Sequence, residues 1–218
     1  MKKFSIYFLT AFLFLGCSFK TPPNQWQYDG TNAYESYKKN FLAANESLAK
    51  NDLARAVKHA KVSANLNLLA RIYLGECALN LSVGIKSECT KYQNIKAVIT
   101  DKELESYYRL LRLELHNIDI SSLPKDYRDF ARHVETSRYK QAAEDILAME
   151  NTSSKLLAAA LIKEHLNNPL RYTLIETASF HGYKKAVLFW LNETKHHTLD
   201  GTEKEILSQK ISILLSKD

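Results

Sequence analysis

Glycine and proline are scarce in this chain, 6 and 4 among 218 residues. Sandwiches and barrels turn often and draw on those residues, so their shortage argues against both. Valine is scarce too, with 6 against 31 leucines, which removes the β-branched bias of sheets. Three cysteines are too few for a disulfide-dense framework, and no Gly-X-Y period supports a collagen-like chain. Apolar runs beyond the N-terminus are short, which excludes a polytopic membrane protein. Charge of one sign is missing as well. The formal net charge is +6; without Lys2 and Lys3 the balance is 28 basic to 24 acidic residues, interleaved, with no run longer than a Lys-Lys pair. Nucleic-acid binders concentrate Lys and Arg on one face or arm, so no nucleic-acid partner is expected. What is present is 45% hydrophobic and 25% charged, enough to bury a core. The expected class is all-α.

Met1-Lys2-Lys3 is followed by thirteen uncharged residues, Phe4 to Gly16, dominated by Phe and Leu. That is shorter than the roughly 20 residues of a membrane span and suits a signal-peptide core. It ends in Leu13-Phe14-Leu15-Gly16-Cys17, which resembles a bacterial lipobox. The resemblance implies that residues 1–16 are a signal peptide and that Cys17 becomes an acylated N-terminus carrying several chains, palmitate among them. Each buried methylene adds ~0.8 kcal/mol, so several chains hold where one does not. Ser18 is not the Asp that resembles an inner-membrane retention signal in enteric bacteria. An outer-membrane anchor facing the periplasm is therefore favoured. Residues 17–32, with Pro22-Pro23 and Gly30, read as a tether, and 33–218 as the folded domain.

Cys77 and Cys89 remain, an even number in a chain bound for an oxidising space. They flank Val83-Gly84 symmetrically, and an antiparallel helix hairpin turning there would face them. A structural disulfide is expected, with free thiols the alternative. Their spacing is not that of a C-x-x-C redox pair.

Apolar residues then step by three and four. Ala33, Tyr37, Phe41, Ala44 and Leu48 draw one helix stripe, and Asn51-Asp52 reads as the cap of a second helix carrying Leu53, Ala56, Val57 and Ala60. Leu66, Leu69, Ala70, Tyr73, Leu74 and Cys77 make a third; a fourth follows Gly84 through Tyr92, Ile95 and Val98-Ile99. Leu104, Tyr107, Tyr108, Leu111, Leu115 and Ile118 form the clearest stripe. Pro124 and Pro169 suit first turns, Thr202 with Glu205 reads as a capping box, and Trp190 reads as core. About eleven helices fit, and no convincing strand appears.

A theme recurs at Leu53-Ala54-Arg55-Ala56-Val57, Ile95-Lys96-Ala97-Val98, Tyr139-Lys140-Gln141-Ala142-Ala143 and Tyr183-Lys184-Lys185-Ala186-Val187. With the segment Leu69 to Gly75, it resembles half-repeats of tetratricopeptide and Sel1-like arrays, in which a small residue lets antiparallel helices approach. The resemblance implies helix pairs stacked as an α-α superhelix; an irregular α-bundle is the alternative.

Catalytic signatures are missing: no HExxH, P-loop, GxSxG or dinucleotide fingerprint. Glu193, His197 and Asp200 sketch a weak metal set, and Glu164-His165 or Glu176 with His181 an acid–base pair, yet surface histidines at helix ends are the plainer reading. We expect no catalytic residue, metal or cofactor, and no enzyme activity. Superhelical repeats expose Tyr, Asn and Lys to partners, and Tyr34, Tyr37, Lys38, Asn45, Arg71 and Tyr107 are the candidate binding residues. The expectation is a lipid-anchored periplasmic scaffold that binds other envelope proteins or peptides. The alternative is a peptidoglycan-acting enzyme or accessory factor with a carboxylate in its groove.

Overall fold

The structure is a computed structural model that describes residues 25–216. The lipobox and Cys17 lie outside the described residues. Eleven α-helices and four short 3-10 turns are present among the described residues, with no strand, so the fold is all-α and helical-repeat-like.

The first helix, α1 (Gln25–Leu42), begins inside the stretch expected to be tether. It stops at Ala44, whose φ of 65° places it in the left-handed region, and α2 (Glu46–Val62) returns antiparallel. The expected break at Asn51-Asp52 does not occur. Asp52 is buried within α2, where its carboxylate accepts from Asn40 Nδ2 at 2.8 Å and meets Arg55 at 3.3 Å. With one oxygen satisfied across the hairpin and the other by Arg55 within α2, it has no need to cap a new helix. Leu48, expected on the first stripe, is exposed as a result.

Asn65 accepts from Leu68 N at 2.8 Å and so caps α3 (Leu66–Ser82), the central element, which packs against α1 and α2. The expected fourth helix is only one turn, α4 (Thr90–Gln93), followed by a 3-10 turn at 96–98. Cys77 and Cys89 are nevertheless joined, Cα to Cα 5.2 Å. The second sulfur belongs to a loop residue at the start of α4, not to the facing helix of a hairpin. A covalent tie and a one-turn helix replace the long packed helix.

Next come α5 (Lys102–Leu111), α6 (Arg128–Glu135), α7 (Tyr139–Ala148) and α8 (Thr152–Leu161). The hairpin of α6 and α7 precedes α8, whose Leu156, Leu157, Ala158 and Ala159 are buried; α8 lies against α3. The pair α9 (Asn168–Phe180) and α10 (Lys184–His197) follows, Pro169 sitting in the first turn of α9 as expected. Then α11 (Gly201–Leu215) packs on α10 through Leu207 and Ile211. Its cap is Asp200, which accepts from Thr202 N at 2.8 Å, so the box expected at Thr202 and Glu205 lies two residues too late.

Ala56, Ala142 and Ala186 of the recurring theme are fully buried against partner helices, whereas Ala97 is exposed on a 3-10 turn. Stacking is not strictly between neighbours. Lys185 of α10 reaches Glu46 of α2 at 2.7 Å and lies 3.8 Å from the Phe41 ring, and Phe189 packs where a Gly84 side chain would sit. Gly84 also adopts φ 76°, so glycine answers two demands there.

Candidate functional site

A cleft of about 520 Å³ opens where α1, α3, α5, α8 and the 122–128 segment converge. Its floor is apolar: Leu74, Ala78, Leu79, Leu104, Leu123 and Leu157. One close approach shapes its wall. A side chain at Gly75 would meet the Tyr34 hydroxyl at 2.0 Å, so only glycine lets the Tyr34 ring cross α3. Tyr107 leans on Tyr127, with ring centroids 5.8 Å apart. Its hydroxyl neighbours that of Tyr127, which also neighbours Ser154.

Burial pushes the Tyr34 and Tyr107 phenols well above their ordinary range. Tyr127 is pushed up to about 12 by burial, against the pull of its bonds from Ser154 and Tyr107. All three remain neutral hydroxyls at physiological pH, able to donate or accept.

Charge gathers at the cleft walls. Lys38 pairs with Glu35 at 2.5 Å, and Arg71 with Asp101 at 2.8 Å and Glu103 at 3.7 Å. Arg128 donates from Nε to the Leu123 carbonyl at 2.9 Å. Ser153 and Ser154 bring the first turn of α8 to the same wall. The cleft offers a hydrophobic bed, neutral hydroxyls and cationic walls, which is an arrangement for binding.

Four of the six candidate residues, Tyr34, Lys38, Arg71 and Tyr107, line this one cleft. Tyr37 does not: it is core, its ring 5.7 Å from Phe41. Asn45 does not either; it sits in the α1–α2 turn, its Nδ2 3.3 Å from Asn40 Oδ1. Tyr127, Arg128 and Ser153 escaped the sequence reading; Ser153 follows the Asn151 cap, whose Oδ1 accepts from Ser154 N at 3.0 Å.

The other sketched constellations resolve differently. Glu164, Glu193 and His197 bring ligand atoms within 4.8 Å of one another. Lys163 already stands among them, with Nζ 2.8 Å from Glu164 and 3.0 Å from Glu193. Burial works against the Lys163 charge, yet its bonds to those carboxylates hold the ammonium above its ordinary range. Asp200 is committed to capping α11. His165 stacks on Tyr139 at 3.5 Å, and His181 Nε2 lies 2.9 Å from Thr152 Oγ1; neither faces the glutamate suggested for it. Trp190 is fully buried, as its stripe indicated.

Comparison with models of known families, with curated proteins and with solved structures finds no match to this chain. Among the described residues no helix is long and apolar enough to cross a membrane.

Proposed function

We propose that this protein is a helical-repeat-like binding module that seats a segment of a partner protein in the α1–α3–α5–α8 cleft. The observation that carries the reading is the convergence of Tyr34, Lys38, Arg71 and Tyr107, chosen from sequence as partner-facing, on one cleft with an apolar floor. Its volume falls within the few hundred Å³ of ligand sites, and hydroxyls placed around an apolar bed fix orientation in such sites. In this reading the Cys17 lipid anchor holds the module at the envelope, so its partners are periplasmic envelope proteins. Glu103, the one carboxylate on the lining, is exposed at the rim and close to Arg71, which favours binding over acid–base chemistry on a glycan.

The test is site-specific photo-crosslinking in cells with a crosslinking residue at Arg71 on the rim or at Lys58 on the outer face of α2, in the native chain and in Cys17→Ala. Adducts to a discrete protein from position 71 but not 58, lost when Cys17→Ala releases the chain, are expected. Equal adducts from both positions would overturn the reading.

A further inference from the structure

Three cations and one carboxylate line the cleft, and their pairing is unequal. Lys38 is answered by Glu35, and Arg71 by Asp101 and Glu103. Arg128 is different. It is half-buried, and among the described residues its only protein bond runs from Nε to the Leu123 carbonyl, with no carboxylate within ion-pair distance of its two terminal nitrogens. A guanidinium is an always-charged planar fork suited to bidentate pairing with a carboxylate. Here it lines the same cleft as the leucines of the floor. The first turn of α8 adds to the field, because a helix N-terminus carries partial positive charge. The tyrosine hydroxyls are neutral and supply no counter-charge.

We infer that the partner segment seated in this cleft is an acidic, apolar peptide: its carboxylate pairs with Arg128, and its apolar side chains rest on Leu74, Leu79, Leu123 and Leu157. The inference rests on the proposed binding role and specifies its chemistry. Arg128 is the charge anchor, the leucines supply contact area, and the hydroxyls of Tyr107 and Ser153 take the peptide backbone.

The test is selection of random heptapeptides displayed on phage against the full chain, followed by affinity measurement of the enriched peptides on three variants. Arg128→Gln keeps a donor for the Leu123 carbonyl and removes the charge. Arg128→Lys keeps the charge without the fork, and Ser153→Trp fills the cleft from the half-buried first turn of α8; circular dichroism verifies that each is folded. Enriched peptides with Asp or Glu among apolar residues are expected, about tenfold weaker on Arg128→Gln, intermediate on Arg128→Lys, and weaker at high salt. Peptides lost on Ser153→Trp but without an acid, or indifferent to Arg128→Gln, overturn the carboxylate chemistry and leave the cleft as a peptide seat. Failure to enrich any peptide over Ser153→Trp overturns both.

Discussion

The two outer hairpins, α1–α2 and α9–α10, and the segment from Val83 to Pro124 hold their shape by different means. In the hairpins, small residues let long helices touch: Ala56 and Ala60 face α1, and Ala178 and Ala186 are fully buried between α9 and α10. Burial of the apolar stripe does most of the stabilising there. The 83–124 segment has one helix of ten residues and otherwise short turns. It is tied by the Cys77–Cys89 bond and by polar clamps: Lys91 to Glu76 at 2.6 Å, Lys96 to Glu105 at 2.9 Å, and Arg112 between Glu88 and Glu114 at 3.1 and 2.6 Å. Exposed ion pairs of this kind contribute little each, so the covalent tie carries more of the burden. The cleft lies where the two kinds of region meet: a regular wall from α1 and α3 and an irregular one from Glu103 to Arg128.

Breaking the tie is the largest test of that contrast. Cys77→Ala with Cys89→Ala removes a short-loop cross-link worth about 3 kcal/mol on the loop-entropy account. At this chain length the melting temperature should fall by roughly 10 °C. Hydrogen exchange should then rise through residues 83–111 first, with α9 and α10 still protected. Uniform loss of protection would mean that the two regions stand or fall together.

The regular region is also the one the sequence announces. Ala56 and Ala186 could be placed because a small residue at a fixed offset from a turn has one use in a helix pair. The same letters around Ala97 misled, since the chain there is pinned by Cys89 and reaches only a 3-10 turn. Asn51-Asp52 read as a cap because a cap and a buried, cross-hairpin carboxylate look alike until Asn40 is seen opposite. Within the cleft, Tyr34, Lys38, Arg71 and Tyr107 were legible as polar or aromatic neighbours of apolar stripes. Tyr127, Arg128 and Ser153 were not, because their place depends on α8 docking across α3, some eighty residues away in sequence.

A smaller effect comes from alkali. Tyr127 has its folded pKa raised from 10.0 to about 12, so below pH 10 its contribution is fully present. Above pH 10 the unfolded phenol ionises first, and stability drains away as pH rises through about 12. A two-unit shift corresponds to about 3 kcal/mol at most. Melting temperatures between pH 8 and 12 should fall less steeply for Tyr127→Phe than for the native chain. Tyr172 of α9, raised to about 12 by burial and its bond to Glu203, is the matching group in the regular hairpin. Tyr172→Phe should flatten the same limb, and its only partial burial should make that change smaller. Parallel curves for native and Tyr127→Phe proteins would remove the cleft phenol from the alkaline response.

The smallest effect separates cap from clamp at the seam between the regions. Asp101 does two things: Oδ1 accepts from Glu103 N at 3.0 Å and so caps α5, while Oδ2 pairs with Arg71 at 2.8 Å. Asp101→Ala loses both roles and should cost about 1 kcal/mol, the usual worth of an N-cap. Asp101→Asn keeps an oxygen for the cap and loses the charge pair, which is half-exposed at Arg71 and so worth only a few tenths of a kcal/mol. Denaturant titration of the two variants decides between them. A loss for Asn as large as that for Ala would make the ion pair, not the cap, the fastening of α5 to α3, and the irregular wall would then be held electrostatically. With the cap dominant, raising salt should leave the stability of the native chain nearly unchanged, because a hydrogen bond to a backbone amide is far less screened than an exposed ion pair.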